Sequence, residues 1–139
     1  MPRDTLHPGL KHSETITVTD RLIVPAMADA FAGFEGMPPV LATAYMVAFV
    51  EWTCVRAVAP HLLPEEHSVG TRVDLSHTAA TPAGMRVTAE VALIAVEGRK
   101  LRFSIACRDA RDAISTGHHE RVVIDQRRFL DKLAAKRAT

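Results

Sequence analysis

Aromatic residues are scarce in this chain: only 5% of its 139 residues are Phe, Trp or Tyr. Stacking platforms for nucleic-acid bases are therefore not evident. Charge of one sign is missing too. The formal net charge is +1, far from the strongly basic balance of a dedicated nucleic-acid binder. Cysteine is limited to Cys54 and Cys107, both in apolar segments without metal-ligand spacing, so two free, buried thiols are expected and a reducing compartment fits them. The first fifteen residues carry no apolar stretch of a signal peptide, and a cytoplasmic location is the expectation. No apolar run is long enough to span a bilayer: residues 40–50 are almost wholly apolar, but Glu51 and Arg56 interrupt the run beyond them. GxSxG, P-loop, dinucleotide-fingerprint, HExxH and CxxC patterns are all absent.

The residues that are present fit one domain spanning 1–139, with an ordinary 47% hydrophobic and 24% charged composition. Residues 14–24 (ETITVTDRLIV) alternate β-branched with polar side chains and predict a strand. Residues 25–39 hold Gly33, Gly36 and the Pro38-Pro39 pair, which predict an irregular loop. Phe31, Phe34 and Met37 give that loop an unusual apolar content. Residues 40–59 are rich in Ala, Leu and Met and lack glycine, which predicts a helix that is apolar nearly all round and must be wrapped. Four further strands are predicted at 68–79, 85–96, 101–108 and 114–124, separated by short turn-forming sequences that imply antiparallel hairpins. Residues 126–137 predict a short amphipathic helix.

One oily helix and about five strands pack most economically if the sheet curls around the helix. The expectation is an α+β chain of hot-dog type: an antiparallel β-sheet wrapped around a central α-helix, with a short C-terminal helix. Open sheet edges and a half-covered helix favour a homodimer.

Three side chains stand out chemically. Glu51 is a carboxylate within the apolar helix, costly unless paired, hydrogen-bonded or protonated; it is a reactive group, or a structural one that pairs with Arg56 or another cation or reaches solvent at an edge. His77 lies at the end of a strand before a turn, either an ordinary satisfied histidine or a general base working near neutral pH. Thr43, near the helix start, is a simple N-cap or a hydroxyl beside the positive end of the helix dipole. Thr43 and Glu51 are eight residues apart, roughly 12 Å along a regular helix. They meet only if Thr43 sits at a bent pre-helical position or if the two come from different subunits. His118 and His119 invite a metal reading, but neighbours on a strand point to opposite faces, so no metal site is expected.

The strings LATAYMVAFVEWTCVRAVAPHL (41–62), SVGTRVDLSHTAATPAG (68–84), VEGRKL (96–101) and GHHERVVI (117–124) resemble the fluoroacetyl-CoA thioesterase family of hot-dog proteins. The likeness runs from about residue 34 to 124. It implies hydrolysis of short-chain acyl-CoA thioesters, with Thr43, Glu51 and His77 catalytic and Gly70 and Arg121 beside the acyl group. It also implies a lid over the acyl group, where Phe34 matches the first of a phenylalanine pair and Met37 stands at the second. Coenzyme A enters as part of the substrate, and no further cofactor, nucleic acid or membrane is implied. A hot-dog hydratase or dehydratase, and a non-catalytic acyl-CoA-binding module, are the competing readings.

Overall fold

The computed structural model describes residues 2–138. Its five strands are β1 (Lys11–Thr17), β2 (Glu66–Leu75), β3 (Arg86–Glu97), β4 (Lys100–Arg108) and β5 (Ala113–Asp125). They form one antiparallel sheet in the order β1-β3-β4-β5-β2, which leaves β1 and β2 as its edges. Alternation along β3 and β4 explains the packing. Val87, Ala89, Val91 and Leu93 face inward from β3, and Leu101, Phe103, Ile105 and Cys107 from β4, all essentially inaccessible to solvent. Register shifts at Gly70/Arg72, Leu93/Ala95 and Cys107/Arg108 mark bulges, which add local bend to the sheet.

Helix α1 (Thr43–Val58) lies on the inward face and buries Met46, Phe49, Val50, Thr53, Cys54, Ala57 and Val58. The buried Thr53 hydroxyl donates back to the Phe49 carbonyl at 2.8 Å, so it costs the core little. Each large side chain fully removed from water here, such as Met46 or Phe103, contributes about 1.5–3 kcal/mol. The wrapping is one-sided, however: Ala44, Ala48, Trp52 and Val55 remain exposed along one stripe. Cys54 and Cys107 are free and buried, and burial pushes their thiols up to about 12 and about 11, far from reactive thiolate. Helix α2 (Gln126–Arg137) begins directly after β5, with the Asp125 carboxylate accepting from the Arg128 amide as its N-cap.

Two boundaries differ from the sequence expectation. The first strand starts at Lys11 and ends at Thr17, because a turn closed by the Leu22 amide on the Thr19 carbonyl breaks it. Ile23 instead bridges Leu41, and residues 24–29 wind into a short 3₁₀ helix. The segment expected as loop is thus pinned at its neck, by the Val24 amide on the Val40 carbonyl and the Ala42 amide on the Leu22 carbonyl. It is a compact Ω-type loop rather than a loose connection. The second strand ends at Leu75, earlier than expected, so His77 lies just past it. The Ser76 and Thr78 amides still donate to the Thr116 and Ile114 carbonyls, which keeps the His77 backbone alongside β5.

Candidate active site

Ala42 is the N-cap of α1, and Thr43 is the first residue of the helix proper. Its hydroxyl is therefore free of capping and meets His77 Nδ1 at 2.7 Å. The other ring nitrogen of His77, Nε2, is buried and has no hydrogen-bond partner among the described residues. Burial also holds the His77 pKa below the usual imidazole value, which favours the neutral ring. A neutral, positioned imidazole with one unsatisfied nitrogen is chemically equipped to take a proton.

Two turns along α1, Glu51 occupies a different environment. Its carboxylate is partly exposed and accepts from Arg121 NH1 at 2.8 Å. Arg121, almost fully buried on β5, also donates through Nε to Ser68 Oγ (2.9 Å) and through NH2 to the Ser68 carbonyl (2.8 Å). The same NH1 reaches His119 Nε2 at 3.1 Å. Gly70, on the neighbouring β2, closes the cluster: a Cβ there would stand 2.4 Å from Glu51 Oε2, 3.2 Å from His119 Cε1 and 3.4 Å from Arg121 NH1. A side chain at position 70 would collide with the carboxylate.

The structure thus joins Thr43 to His77, and separately joins Glu51 to Gly70 and Arg121. No hydrogen bond or ion pair links the two groups among the described residues. Arg56, the cation considered for Glu51 from sequence, instead binds Glu14 through Nε at 2.8 Å and stacks on the Trp52 ring at 5.2 Å. His118 and His119 lie on opposite faces of β5, and of the two only His119 is fully buried. Sequence reasoning weighs His119 only as a metal ligand and passes over Ser68. The available signal is the two-residue spacing of His119 and Arg121, which places both on the sheet face that carries Glu51's partner.

The Ω loop presents Phe31 and Phe34 edge to face, with ring centroids 6.4 Å apart at 81°. Phe31 and Met37 are exposed, and Phe34 is half-buried.

A curled antiparallel sheet holding one central helix defines a hot-dog protein. The family model described as fluoroacetyl-CoA-specific thioesterase matches residues 23–127. The fluoroacetyl-CoA thioesterase of Streptantibioticus cattleyicolor is 39% identical over 134 residues, 96% of either chain. A solved structure of fluoroacetyl-CoA thioesterase superposes with a TM-score of 0.92 at 39% identity, covering 96% of this chain and 98% of that one. A phenylalanine-to-alanine variant of that enzyme, solved with fluoroacetate and CoA, gives 0.86 at 40% identity, covering 89% and 99%. The chain belongs to the fluoroacetyl-CoA-specific thioesterase family.

Proposed function

We propose that this protein hydrolyses short-chain acyl-CoA thioesters to the free acid and CoA, as a homodimer with composite active sites. The observation that carries the reading is the buried Nε2 of His77, unpartnered among the described residues, whose ring is held by Thr43 at the start of the helix that also bears Glu51. Membership of the thioesterase family supports hydrolysis over hydration. In this reading Thr43 accepts from His77 Nδ1–H and so leaves the Nε2 lone pair to draw a proton from water. Glu51 orders the attacking water, or attacks the carbonyl to form a short-lived anhydride that water then hydrolyses. In either route the C–S bond breaks, and the leaving CoA sulfur ends with the proton that water gives to His77. Amides at the start of α1 and at Gly70 receive the negative charge that develops on the carbonyl oxygen.

Helix geometry supports the composite arrangement. Thr43 is helical, so the bent pre-helical route to Glu51 is closed, and the two stay roughly 12 Å apart along α1. A single thioester carbon needs each reacting group at about 3–3.5 Å. Glu51 of one subunit therefore works with a threonine and histidine supplied by its partner. The surface for pairing lies beside Glu51: the exposed stripe of α1 and the open edge of β2, where Val73 is exposed.

Phe34 and Met37 of the Ω loop close over the acyl group. Methionine is more adaptable in shape than an aromatic ring, so the acyl range is broader than fluoroacetyl alone. The cytoplasm is the compartment that suits two free thiols; among the described residues no helix is long and apolar enough to cross a membrane.

A panel of short acyl-CoA esters, fluoroacetyl-CoA among them, with thiol release followed by colour, tests the reading. Turnover is expected with several acyl groups, and Glu51→Ala and His77→Ala each lower kcat on the order of 10²-fold or more. Full activity in both variants refutes the assignment. Loss of enoyl absorbance from crotonyl-CoA without thiol release establishes the hydratase instead.

A further inference from the structure

His119 is fully buried, and both of its ring nitrogens are engaged. Nδ1 lies 2.8 Å from the Arg72 carbonyl, an acceptor only, so Nδ1 carries the proton. Nε2 lies 3.1 Å from Arg121 NH1, a donor only, so Nε2 offers its lone pair. The two contacts demand the same tautomer. They also demand a neutral ring, since a second proton would set two cations against each other and remove the acceptor.

The consequence falls on Arg121. NH1 has two protons, and they go to His119 Nε2 and Glu51 Oε2. With Nε and NH2 tied to Ser68, four of the five guanidinium N–H groups are committed, and the plane of the fork cannot turn. The NH1–H aimed at Glu51 is fixed because the other one is held by the imidazole.

We propose that His119 is a positioning residue for the thioesterase reaction: its neutral Nε2 anchors the Arg121 guanidinium, which in turn holds the Glu51 carboxylate at the angle the acyl transfer needs. In this role His119, fully buried, acts through Arg121. The inference rests on Glu51 acting at the thioester.

The test compares His119→Gln with His119→Met in the full chain. The two side chains have the same length and nearly the same volume, but only Gln can accept from Arg121 and donate to the Arg72 carbonyl. His119→Met is expected to lower kcat about tenfold or more, with KM for the acyl-CoA ester within about threefold. His119→Gln should stay within about threefold of the parent in both constants. Both variants should keep a cooperative thermal transition. If Met destabilises the fold, His119→Asn replaces it: one methylene short, it cannot span from Arg72 to Arg121 and should lose kcat in the same way. Equal activity in Gln and Met variants overturns the proposal, as does equal loss in both, which assigns His119 to packing. Glu51→Gln run in parallel separates the two layers. Full turnover there removes the functional reading itself, whereas an inactive Glu51→Gln beside a fully active His119→Met refutes only the role of His119.

Discussion

The two ends of the site are built on opposite terms. Around Glu51 the neighbours are tied to one another: Arg121 binds the carboxylate, Ser68 twice and His119 once, and a Cβ at Gly70 would collide with the carboxylate. Around His77 there is one hydrogen bond to Thr43 and one buried nitrogen with no partner among the described residues. A buried unsatisfied nitrogen costs about 1–3 kcal/mol, so a fold keeps one only where something else, such as a substrate or reacting water, satisfies it. A guanidinium with four of its five N–H groups committed, by contrast, makes its target carboxylate hard to move. The pairing teaches a division of labour: one end is rigid so that direction is fixed, and the other is left incomplete so that chemistry has somewhere to go.

The largest effect comes from asking whether the two ends serve one another across subunits. Glu51→Ala and His77→Ala are each expected to be inactive alone. Mixed in equal amounts and allowed to exchange subunits, they form hybrid dimers in which one composite site has lost both groups and the other has lost neither. Activity is then expected to rise from near zero to about a quarter of the parent. If both groups act within a single subunit, every site in the mixture lacks one of them, and no activity returns. That result would break the comparison, since the two ends would not share a thioester in the way a composite site requires.

Gly70→Ala sharpens the rigid end. The backbone at Gly70 lies outside the left-handed region, so alanine fits the strand conformation without strain. On backbone grounds alone such a change stabilises by about 0.4–1 kcal/mol. Its methyl group would nonetheless sit 2.4 Å from Glu51 Oε2, and Arg121 leaves the carboxylate little freedom to retreat. Steady-state kinetics should show kcat lower by on the order of 10²-fold, and thermal unfolding a net loss of stability, because overpacking costs about 1–3 kcal/mol against that smaller backbone gain. A fully active variant would mean that Glu51 has slack, and that the Arg121 network does not set its direction.

Much of the fold is legible in the sequence. The strands of the sheet follow from β-branched alternation, and α1 from its glycine-free apolar run, because both periodicities are local properties of the chain. The first strand is displaced from its expected span because Leu22 and Ile23 carry the same alternation as Thr15 and Ile16, while the turn at Thr19 that ends pairing is weak in sequence. The uncovered stripe of α1 is invisible for a different reason: apolar residues all round a helix do not say which face its own subunit fills. Site pairings are the least legible. Glu51 and Arg56 stand near one another in sequence, yet Arg56 reaches across to Glu14 and Glu51 reaches across to Arg121, seventy residues away. The packing of α1 on the sheet brings the latter pair together, and the register of β2 on β5 sets Gly70 opposite Arg121 beside it.

The smallest expected effect is on stability, and it tests whether both histidines are neutral for the same reason. Burial lowers the pKa of His77 and of His119 below the ordinary imidazole value of 6.5, with the backbone acceptor at Arg72 opposing the shift in His119. The unfolded chain therefore binds protons at these positions before the folded protein does. Stability contributed by the neutral rings is complete above about 6.5 and declines as pH falls toward the folded values. Glu14, Glu35, Asp109 and Glu120, whose carboxyls are held below their usual range by hydrogen bonds and nearby cations, add a second decline only in more acidic solution. Thermal unfolding measured from about pH 8 downward should show Tm falling in two stages. His119→Gln, which carries no titrating group, should reduce the first stage to the part that His77 contributes, without touching the second. An unchanged first stage in that variant would mean that His119 takes up its proton alike in the folded and unfolded chain, and that burial does not hold its ring neutral.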